Sequence, residues 1–221
     1  MKPSRPEKKL IPSYSRRPLL SALGLSFLVY YGTQLIAGPW PHHVWETAVD
    51  RAIPLLPWTV VIYTGAFLFW VAGYILAARL DRANAWRFLA ADAVGKVVCF
   101  IVFLILPTTV ARPEIPADAP FAWALELIYT ADAPDNLFPS IHCFNSWLCW
   151  VGVRGRREIP AGYRAFSLLM ALAVGLSTLT TKQHVVADVF AGFFLAELCW
   201  FLAGHTGIGS LYGRLWERSA A

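Results

Sequence analysis

The chain has 221 residues, of which 57% are hydrophobic and only 15% charged, with a mean hydropathy of +0.51, ten Trp and a net charge of +5. That apolar surplus exceeds what a soluble domain of this length buries, and it points to a membrane protein. The basic residues alternate with the hydrophobic runs instead of gathering on one amphipathic face, which argues against a nucleic-acid partner.

Residues 1–17 carry Lys2, Arg5, Lys8, Lys9, Arg16 and Arg17 among Pro and Ser and read as a solvated, basic cytoplasmic tail. Leu19 to Ala37 is an uncharged run of the length that crosses about 30 Å of hydrocarbon at about 1.5 Å per residue. A cleaved signal peptide is the rival reading, but the run exceeds the roughly 7–15-residue core of such signals, so a retained helix is favoured. In residues 38–57, rich in Pro and Trp, and at Trp58 just beyond, Trp40, Trp45 and Trp58 read as interfacial anchors. His42-His43 reads as a solvated pair and not a metal site.

Trp58 to Ala78 is the second expected span, closed by Arg79, Asp81, Arg82 and Arg87. The third runs from about Phe88 to Leu106 and contains Asp92 and Lys96, four residues apart and able to pair along one face. Glu197, inside the last span, is expected at similar depth as a third member of that group. A network tying helices together is favoured over a substrate role. Next comes a long connection, residues 108–139, in which Phe121 to Tyr129 is either a short interfacial helix or a lid.

Ile141 to Val153 is a fourth apolar run of only 13 residues. Such a helix rises about 20 Å, so its outer end is expected below the membrane surface or in a thinned bilayer. Residues 163–181 form the fifth expected span, Val185 to Ala203 the sixth, and residues 207–221 a short tail with Arg214 and Arg218. Cys99, Cys143, Cys149 and Cys199 all fall inside apolar runs without metal-ligand spacing and read as small buried hydrophobes.

The expected fold is therefore all-α, a polytopic membrane protein whose residues 18–206 form one six-helix transmembrane bundle. Fifteen Lys and Arg fall on one set of loops and tails, against only Arg51, Arg112 and Lys182 on the other. By that asymmetry both termini are cytoplasmic, and the segments carrying Arg112, Ser140, His142, Lys182 and His184 emerge on the opposite face.

Those residues carry the chemistry. A helix from Gln183 onward places His184 and Asp188 on one face, where the carboxylate takes the Nδ1 proton and leaves Nε2 bare as a nucleophile or base. The alternative is a hydrogen-bonded pair that only steadies a helix end. Pro139 and Ser140 read as a helix start, whose free N–H groups favour an anion, with the Ser140 hydroxyl beside them and His142 on the following turn. Arg112 and Lys182 add two cations. Donors, two imidazoles and cations together suit a phosphoryl group, which needs its oxygens held, its phosphorus attacked and its leaving oxygen protonated.

At these residues the sequence resembles the type-2 phosphatidic acid phosphatase superfamily of membrane phosphatases and phosphotransferases. Arg112-Pro113 matches that family's Arg-Pro motif, and Pro139-Ser140-Ile141-His142 its Pro-Ser-Gly-His motif with Ile in place of Gly. Ser177 and His184-Val185-Val186-Ala187-Asp188 match the third motif, with Thr178 where the family has Arg; Ile105 stands where it has a Lys seven residues before Arg112. Similar departures, with a polar residue such as Lys182 before the His, occur in relatives that include inositol phosphorylceramide synthases. The resemblance implies that His184 Nε2 attacks phosphorus to give a phosphohistidine while Asp188 orients the ring. His142 protonates the departing oxygen and then activates the acceptor, and Arg112, Lys182 and Ser140 hold the phosphoryl oxygens. It implies no cofactor and a phospholipid or isoprenoid phosphate as substrate. No metal is expected, since both imidazoles are occupied and no carboxylate cluster of magnesium type appears. The charge asymmetry places the site outside the cytoplasm, at the plasma (inner) membrane if the chain is bacterial. The competing readings are a lipid phosphotransferase that uses an alcohol in place of water, and a non-enzymatic lipid-binding or transport protein.

Overall fold

A computed structural model of the protein describes residues 10–218, so Lys2, Arg5, Lys8 and Lys9 of the expected tail lie outside the described residues. Helix α1 (Ser13–Phe27) runs through a five-residue π turn (Leu28–Gly32) into α2 (Thr33–Ala37), making one apolar stretch. It starts six residues before the expected Leu19, because the first turn needs no apolar residues while Arg16 and Arg17 remain exposed to solvent. The chain then forms β1 (His43–Val44) and α3 (Ala48–Ala52). A single 3-10 turn at Pro57–Thr59 leads into α4 (Val60–Leu80). Asp81 caps α5 (Arg82–Ile105) by accepting the Asn84 N–H at 2.8 Å, so this helix also begins earlier than its hydrophobic run.

After α5, β2 (Thr108–Thr109) pairs in parallel with β1 in the register His43 to Thr108 and Val44 to Thr109, clipping the two outer connections together. The long connection then folds into α6 (Ala122–Ala131), the short helix anticipated at Phe121 to Tyr129. It buries Ala122 and Leu125 and turns Trp123 and Leu127 outward. The remaining helices are α7 (Ile141–Arg154), α8 (Ala161–Thr180), α9 (Val186–His205) and α10 (Ile208–Arg218).

Among the described residues, five stretches are long and apolar enough to cross a membrane: Ser13–Ala37, Pro57–Leu80, Arg82–Ile105, Ala161–Thr180 and Val186–His205. The outward faces suit hydrocarbon, with Leu35, Leu68, Leu169, Phe190 and Phe194 largely exposed. The fourth expected span, α7, has 14 residues and rises only about 21 Å. It packs against α4, α5, α8 and α9 at once and buries most of its length. Gly95 of α5 makes room for it, since a Cβ there would stand 2.2 Å from the Phe144 ring. All four cysteines are buried and unpaired, as small hydrophobes in this core.

Asp92 and Lys96 do pair, one turn apart on α5, at 2.8 Å and 1% exposed or less. Their partners differ from expectation. The Tyr74 hydroxyl of α4 donates to Asp92 at 2.5 Å and lies 3.1 Å from the Asn145 side-chain amide of α7, while Lys96 Nζ donates to the Ala22 carbonyl of α1 at 3.1 Å. Glu197 is not a member. It faces the Arg154 guanidinium at 2.5 and 2.8 Å and accepts from Trp147 Nε1 at 2.9 Å, because the turn of α9 that carries it looks toward the end of α7. Every polar atom of the Asp92–Lys96 pair has a partner, so it works as a four-helix tie. Removing one charge leaves the other buried and uncompensated. Lys96→Ala is expected to destabilise the detergent-solubilised protein by about 3–5 kcal/mol, and Lys96→Met with Asp92→Leu to recover most of that loss, as read from thermal inactivation.

Candidate active site

The site is assembled at one end of the bundle, where α8 stops and α9 starts. The turn between them has the bonding of a Schellman cap: Lys182 N–H donates to the Leu179 carbonyl at 3.2 Å and Gln183 N–H to the Thr178 carbonyl at 2.9 Å. Lys182 occupies the left-handed position with φ +55°, normally given to Gly, and its side chain offsets that strain by donating to the carbonyls of Asp50 at 2.8 Å and Ile53 at 2.6 Å. The His184 N–H also reaches the Thr178 carbonyl, at 3.2 Å.

Helix α9 begins only at Val186, so His184 lies just outside it and does not share a helical face with Asp188 as expected. The two meet through capping instead. One oxygen of Asp188, in the first turn, accepts the Val185 N–H at 2.9 Å and stands 3.2 Å from His184 Nδ1. With Nδ1–H donating there, Nε2 of His184 holds the free lone pair. His184 is 8% exposed and Asp188 1%. From the first outer connection, Asp50 accepts the Val186 N–H at 2.7 Å and so holds the first residue of α9. Burial pushes the Asp50 carboxyl up, but the Thr47 hydroxyl, the N–H groups of Val186 and Thr47 and the Lys182 charge outweigh it and hold the group below the usual carboxylate range.

Helix α7 brings the second imidazole. Ser140 is its N-cap, as anticipated, with its hydroxyl accepting the Cys143 N–H at 3.3 Å and its own N–H donating to the Asp188 carbonyl at 3.1 Å. The hydroxyl is therefore engaged in the cap and fully buried. The His142 ring lies 6.0 Å from the His184 ring, centroid to centroid. Its other neighbours are aromatic and come from α4: Tyr63 stacked at 4.4 Å, Trp70 at 5.2 Å and Phe67 at 6.0 Å. The approach of α7 to α9 depends on Gly192, where a Cβ would stand 2.5 Å from the Ser140 carbonyl oxygen and 2.9 Å from Cys143 Cβ.

Arg112 enters from the long connection. Its Nη1 donates to the carbonyls of Tyr129 at 3.0 Å and Asp132 at 2.6 Å, its Nη2 to Gln183 Oε1 at 2.5 Å, and its plane lies over the Tyr129 ring at 4.6 Å. The Asp132 carboxylate in turn accepts the hydroxyls of Tyr30 and Tyr63, which ties this corner to α4 and the first span. Arg112, Lys182, Arg51, Glu46 and Pro113 line an open cleft of about 260 Å³ above. Thr178, at the position where the resembling family has Arg, is fully buried and donates its hydroxyl to the Gly175 carbonyl at 2.8 Å, so α8 sends no cation into the site.

All six sequence-derived residues thus lie at this end. His184 is bonded to Asp188 and stands beside His142, and Arg112 is bonded to Gln183, the residue before His184. Lys182 commits two of its three N–H groups to backbone carbonyls, and the Ser140 oxygen accepts the cap bond of α7. Gln183, Asp50, Asp132 and Tyr63 join the site without having been singled out as members. Only Gln183, adjacent to His184, carried a positional signal. Among the described residues, no group of three or more His, Cys, Asp and Glu is arranged to hold a metal ion.

A family model described as the PAP2 superfamily matches residues 88–207, which span α5 to α9 and every one of the six residues. No curated protein and no solved structure matches the chain.

Because the Gly192 contact is against backbone, it cannot relax by a rotamer change. Gly192→Ala is expected to force α7 and α9 apart, lowering turnover at least tenfold and destabilising the protein by roughly 1–3 kcal/mol. Activity and melting temperature measured side by side check both parts.

Proposed function

This chain belongs to the PAP2 superfamily, and we propose that it is an integral-membrane lipid-phosphate phosphatase working through a phosphohistidine on the extracytoplasmic side. The observation that carries this is the 6.0 Å separation of the His142 and His184 rings, with His184 Nδ1 held by Asp188. Both rings are within reach of one tetrahedral centre. His184 Nε2 attacks phosphorus, the bond from phosphorus to the lipid oxygen breaks, and that oxygen takes a proton from His142. Neutral His142 then removes a proton from water, the new hydroxide attacks, the P–N bond breaks and phosphate leaves. Asp188 holds the His184 tautomer throughout and balances the charge that develops on the ring.

The depth of the site favours a lipid substrate. The α4 residues around His142, from Tyr63 to Trp70, lie about 9–20 Å along the axis from Pro57, where the apolar span containing α4 begins. Phe67, between them, is 52% exposed on the outer surface of the bundle. A lipid can therefore approach sideways from the bilayer, with its phosphate already near the level of the two imidazoles. The orientation follows from charge: the opposite end carries Arg79, Arg82, Arg87, Arg154, Arg156, Arg157 and Arg164, and the positive-inside rule puts that end in the cytoplasm. With α7 crossing a locally thin region as the sixth span, both termini are cytoplasmic.

The aromatic enclosure of His142 also favours a second reading, in which an alcohol arriving through the bilayer takes the place of water. That makes the enzyme a lipid phosphotransferase, the activity of the inositol phosphorylceramide synthase-like relatives. Free phosphate release measured against headgroup exchange separates the two.

His184→Ala is expected to abolish turnover while leaving the melting temperature unchanged, and Asp188→Asn to slow it by about 10²–10⁴-fold; near-wild-type phosphate release by the first variant would remove His184 as nucleophile. Dispersed lipid phosphates are expected to be turned over faster than water-soluble esters, and the reverse order in a matched panel would count against lateral entry.

A further inference from the structure

Two buried donors at the site have no protein partner among the described residues: Nε2 of Gln183 and Nε of Arg112. Gln183 is only 2% exposed, so water does not satisfy it at the surface. Its orientation is set by chemistry. The atom 2.5 Å from Arg112 Nη2 must be an acceptor, because a guanidinium has only donors to offer. The amide oxygen therefore faces Arg112, and the NH₂ group is directed away from it. The guanidinium polarises the amide through that bond and makes the NH₂ a better donor.

The other polar side chains of this corner already have protein partners. Two of the three N–H groups of Lys182 Nζ are held by backbone carbonyls, the Thr178 hydroxyl donates to Gly175, and the Ser140 oxygen accepts the cap bond of α7. Gln183 and Arg112 differ in each having a buried donor nitrogen with no partner, on two side chains bonded to each other. His142 Nε2 and one oxygen of Asp188 are buried and unpartnered in the same neighbourhood. Two unpartnered N–H donors on side chains bonded to each other, one of them on the residue next to His184, suit the non-bridging oxygens of a phosphoryl group.

We propose that Gln183 is a phosphoryl-binding residue: its NH₂ group and the Nε–H of Arg112 form a two-donor clamp on the non-bridging oxygens of the group that His184 attacks. The assignment rests on the phosphatase reading above and adds to it a neutral amide ligand, next in sequence to the nucleophile, where α8 supplies no cation. Part of the grip on the anion then comes from an amide and not from charge.

Gln183 and Gln34 are the two glutamines of the chain, so side-chain ¹⁵N-glutamine labelling of the full protein in detergent gives two amide signals. Gln183→Met assigns them. Titration with inorganic phosphate is expected to shift the Gln183 NH₂ signal and leave Gln34 in place; a Gln183 signal that stays still at phosphate concentrations that fully inhibit turnover overturns the proposal. Gln183→Glu supplies a second readout, since it keeps an oxygen for Arg112 but replaces the donor by an anionic oxygen. It is expected to weaken inhibition by phosphate and raise KM for a lipid phosphate tenfold or more. Wild-type phosphate inhibition in Gln183→Glu, combined with loss in Gln183→Met, would mean that Gln183 only positions Arg112, and would overturn the clamp. The phosphatase reading is tested separately: it fails if His184→Ala retains turnover, whatever the Gln183 signal does.

Discussion

The Asp188 carboxylate is the constraint on which the site depends. One of its oxygens closes the start of α9 through the Val185 N–H and takes the His184 ring at Nδ1, while its backbone carbonyl accepts the N-cap N–H of α7. A helix-capping group is thus also the ring-orienting group, and the same residue ties α9 to α7, the helix that carries His142. Helix termini inside a bundle leave N–H groups that must be satisfied. Here that requirement also fixes the orientation of the His184 ring.

Around this centre the outer connections hold one another mainly by side chain to backbone bonds. Lys182 binds the carbonyls of Asp50 and Ile53, Asp50 binds the N–H of Val186, Arg112 binds the carbonyls of Tyr129 and Asp132, and the Tyr129 hydroxyl binds the Thr181 carbonyl at 2.8 Å. The Arg112 bonds close the long connection on itself, while those of Lys182, Asp50 and Tyr129 join connections far apart in sequence, so ordering any one of them helps to order the rest. The carbonyl acceptors are neutral, so Lys182 and Arg112 keep their positive charges while their positions are fixed.

The short central helix sets the depth of the site. Because α7 rises only about two thirds of a hydrocarbon core, His142 is set among aromatic residues inside α4 and not at its end. Burial among Tyr63, Phe67 and Trp70 keeps the imidazole in apolar surroundings open on one side to the bilayer surface of the bundle. The Asp92–Lys96 tie, with Tyr74 and Asn145, binds α4, α5 and α7 together deeper in the same bundle. It gives those helices fixed neighbours beneath the site.

The sequence by itself determined the elements and their chemistry: long apolar runs dictate helices in hydrocarbon, Ser140 after Pro139 dictates a helix start, and Asp92 with Lys96 at one-turn spacing dictates a pair. It also made His142, His184, Asp188 and Arg112 the candidates for the proposed phosphoryl chemistry, since their types and spacings are local properties. The tertiary structure decided what those residues spend their atoms on. Lys182 reads as a free cation until the folded first connection offers it two carbonyls, and Glu197 reads as a partner of Lys96 until the rotation of α9 turns it toward Arg154. Gln183 reads only as the start of a helix until Arg112 fixes its amide. Rotation about a helix axis and hydrogen bonds between segments more than a hundred residues apart are set by packing of the whole bundle, and no local pattern encodes them.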